Sequence, residues 1–124
     1  MDQDLIKHLS QDADGLLTYE YIANHINCCS DEMPFLIDNM IRVDSTGQFI
    51  VSGARYLNAI DPVKYAPDIK RLIAAAIEKD RERRYIGDLL QSIWGTDYES
   101  RIDELNASDD NFRRIYKRLY PQGI

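Results

Sequence analysis

The sequence predicts a mainly α-helical fold with one small β-hairpin. Two observations carry the helical part. Ile69, Leu72, Ile73, Ala76 and Ile77 recur at i, i+3, i+4, i+7 and i+8, the stripe of a helix with one buried face. Two further stripes follow, one of Ile86, Leu89, Leu90 and Ile93 and one of Phe112, Ile115, Tyr116 and Leu119. A third observation carries the hairpin. Arg42-Val43 and residues 48–51 are β-prone pieces flanking a short polar turn that ends in Gly47. The hairpin belongs to residues 1–60, and residues 61–124 form a helical half packed on it. At 124 residues the two make one domain. A chain of this size buries roughly two-thirds of its unfolded surface and needs no metal or disulfide to fold.

The elements follow in order. Residues 2–9 form a short helix with Leu5, Ile6 and Leu9 on one face, and Asp2 and Asp4 suit its positive N-terminal end. Gly15 makes a turn, and Thr18 is placed to cap a helix over residues 19–26, with Leu17 and Ile22 as a hydrophobic staple. Ser30 is placed to cap the next helix, whose first turn holds Asp31, Glu32 and Pro34. Leu36, Ile37, Met40 and Ile41 form its inner face. After the hairpin, Ser52 caps a short helix to Ile60. Asp61-Pro62 reads as a helix start, and Pro67 as a break and restart. Residues 78–84 are a linker or a solvated turn, and Gly95 ends the helix of the second stripe. Thr96 and Glu99 have the spacing of a capping box, and residues 108–110 open the last helix. No internal repeat is evident from the residues.

Within residues 19–36 the spacing is more specific. Counted from Tyr19, a small residue (Ala23) falls where two helices of a helix-turn-helix approach, and Ile22, Ile26, Cys28, Met33 and Leu36 fill the apolar sites. Asn27 occupies a turn position that often has positive φ, which Asn tolerates. In this pattern, with the hairpin as the wing, residues 15–51 resemble the winged helix-turn-helix superfamily. The resemblance implies a winged-helix-like N-terminal half with a packed C-terminal helical extension. Members of that superfamily bind DNA through the second helix, and the resemblance implies the same use here.

The charge opposes that use. The chain carries 15 Lys and Arg against 21 Asp and Glu, a net −6. Residues 1–62 hold ten acids and three bases, whereas residues 63–124 hold eleven acids and twelve bases. Such a field repels nucleic acid and anionic membrane at long range. The second helix would present Asp31, Glu32, Asp38 and Asn39 with only Arg42, whereas phosphate contacts need Lys or Arg. Asp31, Glu32, Pro34, Phe35 and Asp38 are therefore the candidate protein-contact surface, with Phe35 expected to point outward. Arg113, Arg114, Lys117 and Arg118 are the candidate anion or nucleic-acid surface, on one face of the last helix. Lys79, Arg81, Arg83 and Arg84 form a second basic cluster. The basic helix is also able to dock on the acidic half of a second copy, making a dimer.

No residue pattern points to catalysis, a cofactor or a metal. Residues 10–21 have an EF-hand outline, with Asp12 and Asp14 at loop positions three and five and Gly15 at six. Ser10 and Tyr21 stand where that site needs carboxylates. His25, Cys28 and Cys29 leave only His8 to complete a zinc set. Glycine-rich phosphate loops and hydrolase motifs are absent. Adjacent free cysteines fit a reducing, cytoplasmic compartment, and no apolar run reaches membrane length. The function expected is a non-enzymatic regulatory module acting through protein–protein contacts. The alternative is a DNA-binding transcriptional regulator that uses the basic helix or dimer symmetry.

Overall fold

Asp12, Asp44 and Asp80 are buried carboxylates, and each stands just past the end of one helix and gathers backbone N–H groups of the chain that leads into the next. The computed structural model describes residues 1–122. Its helices are α1 (Gln3–Ser10), α2 (Leu16–Asn24), α3 (Met33–Val43), α4 (Gln48–Ile60), α5 (Ala66–Lys79), α6 (Asp88–Trp94), α7 (Ile102–Ser108) and α8 (Asp110–Leu119). Short 3-10 turns at Ser30–Glu32 and Tyr98–Arg101 precede α3 and α7. Among the described residues there is no strand, and no helix is long and apolar enough to cross a membrane.

The three aspartates work alike. One Asp44 oxygen accepts the backbone N–H groups of Thr46 and Gly47 (3.0 and 2.9 Å), and the other accepts those of Phe49 and Ile50 (both 2.9 Å). Asp80 accepts from Arg84, Tyr85 and Ile86 at 2.7–2.9 Å. Asp12 accepts from Asp14, Gly15 and Thr18, and also from the Thr18 hydroxyl at 2.7 Å. The free N–H groups at a helix start need acceptors, and the positive end of the helix favours an anion there. Burial by itself would raise the Asp12 pKa. The bonds from Thr18, Gly15 and Asp14 outweigh it and hold the carboxyl below the ordinary carboxylate range.

Three residues after each aspartate the backbone turns left-handed, at Gly15 (φ 106°), Gly47 (φ 92°) and Arg83 (φ 57°). The turns are stacked. A Cβ on Gly15 would lie 3.3 Å from the Asp44 Cβ and 3.2 Å from the Phe49 Cβ, and one on Gly47 would lie 3.3 Å from the Asp80 Cβ. Each turn therefore rests on the next. A cation or amide from each later helix then covers the bare carbonyls at the end of an earlier one. Arg42 donates to Ser10 O (3.0 Å) and Asn39 to Leu9 O (2.8 Å). Lys79 donates to the carbonyls of Asp44 (2.8 Å) and Ile41. Arg118 donates to those of Ile77, Asp80 and Arg81.

The result is two rows of helices, α1, α3, α5 and α8 in one and α2, α4 and α6 in the other, with α4 packed along α5. Asp12, Asp44 and Asp80 recur after 32 and 36 residues, so the chain is an internal helix–turn–helix repeat. Between the rows lies the core, which includes Leu36, Met40, Ile50, Leu57, Leu72, Leu89 and Phe112.

The architecture corrects several expectations. There is no wing, so the winged-helix half is not present. Residues 48–51 form the first turn of α4, whose Ile50, Val51, Ala54 and Leu57 are buried on one helical face. Four apolar or β-prone residues after a glycine fit a strand or a helix start equally well, and the Asp44 carboxylate selects the helix. The helix-turn-helix offsets also fail at two points. Cys28 is exposed and Cys29 is buried, and among the described non-glycine residues positive φ occurs only at Arg83, not at Asn27. Thr18 lies inside α2 as a partner of Asp12 rather than at its cap. Pro67 rather than Pro62 stands in the first turn of α5, and Thr96 caps nothing. The internal repeat, not evident from the residues, is present.

The buried stripes of α5 and α8, the stop at Gly95 and the start of the last helix at residues 108–110 are as expected, and Asp2 and Asp109 prove to be the caps of α1 and α8.

Candidate functional site

α5 and α8 lie side by side and run in the same direction. Near their first turns the Asn111 side-chain amide donates to Lys70 O (3.3 Å). Further on, Arg114 stands 3.9 Å from Glu78. At their last turns Arg118 holds the end of α5. The seam between them has a different chemistry at each end.

At the N-terminal end is a pocket of about 480 Å³. Ile69 and Ile73 of α5, Ile93 and Trp94 of α6, and Pro62 and Pro67 form its apolar wall. Its size falls in the range of ligand pockets. Trp94 is fixed in that wall. Its indole N–H donates to Asp109 Oδ2 (2.8 Å), and its ring meets Phe112 edge-on at 5.3 Å. Asp109 Oδ1 caps α8 through the Phe112 N–H (3.1 Å), so one carboxylate anchors both the tryptophan and the helix. Asn58 also lines the pocket, and its amide donates to Ser92 O (2.9 Å). The turn beside the pocket leaves Ile60 48% and Val63 84% exposed. Ile60 and Val63 flank Pro62, which lines the pocket.

At the C-terminal end is a cleft of about 640 Å³ lined by Ile77, Glu78, Arg81, Arg114, Lys117 and Arg118. The structure thus brings three of the four predicted anion-surface residues together with Arg81 of the second basic cluster. Arg113 is apart, paired with Asp110 and reaching Asn106 O. The cations differ in how far they are committed. Arg118 holds helix carbonyls, Arg114 faces Glu78, and Arg84 pairs with Glu82 at 2.6 Å. Arg81 and Lys117 are exposed and have no ion-pair partner among the described residues.

The predicted protein-contact residues sit on the other side of the repeat, at the start of α3. Asp31, Pro34 and Asp38 are exposed, and Asp38 pairs with Arg71. Glu32 accepts from the Tyr21 hydroxyl (3.2 Å), and burial together with that carboxylate pushes the Tyr21 pKa up. Phe35 is half-buried against the core and does not stand outward.

The EF-hand outline has a different use. Both Asp12 oxygens face backbone and Thr18 donors, and Asp14 accepts the Leu16 N–H (3.0 Å). His25 stacks on Tyr21 at 4.1 Å, and burial pushes the Cys29 thiol up, away from the thiolate that metals need. Among the described residues no three His, Cys, Asp or Glu side chains are grouped to hold a metal.

Sequence reading missed the apolar pocket because its wall residues carry the same stripes that build the core. The one available signal was Trp94 standing beside its stripe rather than in it. Compared with protein-family models, curated proteins and solved structures, the chain matches none.

Proposed function

We propose that this chain is a non-enzymatic helical-repeat module that binds a segment of another protein at the α5–α8 seam. The apolar pocket walled by Ile69, Ile73, Ile93 and Trp94, with the exposed Ile60 and Val63 on either side of its Pro62 in the sequence, carries the reading. Its occupant is a polypeptide with one large aliphatic or aromatic side chain, which would leave water for that wall and cover the exposed pair. Burying one such side chain contributes about 1.5–3 kcal/mol, and contacts along the rest of the segment supply what else binding needs. Solenoid-like repeats use extended surfaces of this kind for peptides. Duplex DNA is less well served: the chain is acidic, and Arg113, Arg114 and Arg118 already have protein partners.

Trp94 is the chain's one tryptophan and stands in the pocket wall, so its fluorescence reports occupancy. Peptides selected by display on the full chain, and free of tryptophan, are expected to share a Leu, Ile or Phe anchor and to shift Trp94 emission. Val63→Asp is expected to weaken them about tenfold or more while leaving the melting temperature unchanged. Tight binding to duplex DNA that falls steeply with salt and is lost with R113A, R114A, K117A and R118A would overturn the proposal.

A further inference from the structure

The pocket reading says where a segment anchors, and the other end of the seam says what else that segment carries. We infer that the partner is an acidic polypeptide, with Asp or Glu residues following its apolar anchor. The inference rests on the proposed pocket and adds the cationic cleft to it.

Parts of two basic clusters, residues 79–84 and 113–118, converge at this end. Arg81 lines the cleft with Arg114, Lys117 and Arg118, and Arg83 donates to Arg118 O (3.2 Å), against the single acid Glu78 in the lining. A local excess of cations thus stands on a chain whose net charge is −6. Most of these cations are used inside the protein. Arg81 and Lys117 are left over, one on each side of the same cleft, exposed and unpaired among the described residues. Lys117 is on α8, and Arg81 is in the turn just past the end of α5, the two helices that contribute to the pocket wall. From Lys70 to the end of α5 at Lys79 the seam runs roughly 14 Å at the helical rise, and Arg81 stands two residues beyond. An extended chain covers that in about five residues.

The chemistry favours carboxylates on a short segment over a nucleic acid. Two free cations amid Glu78 and Glu82 are too few for a polyanion, whose affinity comes from many phosphate contacts at once. Two separated point charges also suit carboxylates spread along a chain better than a single phosphate, which binds best to a converging bidentate clamp.

The test uses the full chain and paired peptides with one Leu or Phe anchor, followed after about five residues by three Glu or by three Gln. The Glu peptide is expected to bind roughly tenfold more tightly at low ionic strength, as two modest exposed ion pairs allow. That advantage should vanish in high salt and in the R81A/K117A variant, which should bind the Gln peptide as the parent does. Hexaglutamate alone should move the NMR signals of residues 78–81 and 114–118. Equal binding of both peptides by the parent overturns the acidic-partner inference and leaves the pocket reading standing. Hexaglutamate shifts at the cleft with no Trp94 response to either peptide overturn the pocket reading and with it the linked inference. Tighter binding of a DNA duplex or a phosphoserine peptide than of the Glu peptide overturns the choice of ligand. So does a salt-sensitive dimer, seen by sedimentation, that R81A/K117A abolishes.

Discussion

The second and third aspartate turns perform the same task with different residues. Asp44 and Asp80 both sit past a helix end and gather backbone N–H groups ahead of them, Asp44 at the start of α4 and Asp80 in the turn that leads into α6. Three residues on, one turn has Gly47 and the other Arg83, both with positive φ. Left-handed backbone costs an L-residue only about 1–2 kcal/mol, so φ alone does not demand glycine. The demand comes from the neighbour. Gly47 lies against the Asp80 Cβ and the backbone of α5, whereas Arg83 ends the stack and is exposed. Glycine marks a turn that another turn rests upon, and Arg83 marks the last one.

The largest effect expected is at the shared part. Asp44→Ala leaves four N–H groups without their acceptor at a buried helix start, and should cost about 3–5 kcal/mol in denaturant unfolding. A loss below about 1 kcal/mol would show that water replaces the carboxylate and that the turns are not the organising element. Next comes the difference between the turns. Gly47→Ala should cost about 1–3 kcal/mol, and Arg83→Gly should change stability by less than about 1 kcal/mol in either direction. Equal effects at the two positions would break the argument from stacking.

The smallest effect is confined to acid. The Asp12 pKa is lowered in the fold, so its contribution is complete above the unfolded value near 3.9 and fades as pH falls through the folded one. The melting-temperature gap between the parent and Asp12→Asn is therefore expected to be constant at neutral pH and to narrow below about pH 4. A gap unchanged down to pH 2 would mean that Asp12 works by shape and not by charge.

The sequence made the amphipathic helices legible, because burial leaves a period that can be counted. The five apolar residues of α5 and the inward face of α8 are examples. The turns were not legible, because a carboxylate that gathers N–H groups two to six residues ahead has no periodic signature. Asp12 looked like a calcium ligand and the turn after Asp44 looked like a hairpin tip. The repeat was hidden for the same reason. Its units share an aspartate and a left-handed third residue, while the latching cation stands two residues before Asp44 and one before Asp80. The cations of the site were visible in the sequence. Which of them meet depends on α8 lying parallel to α5, a property of packing.

The latches also impose an order. Arg42, Lys79 and Arg118 each reach back to a helix made earlier in the chain, and none reaches forward. Every unit therefore carries bare carbonyls until its successor arrives, and a chain growing from its N-terminus closes one joint at a time. The last closure is made by α8, which also builds one wall of the seam. The proposed binding surface is complete only when the final joint has formed, so an unfinished copy would lack it.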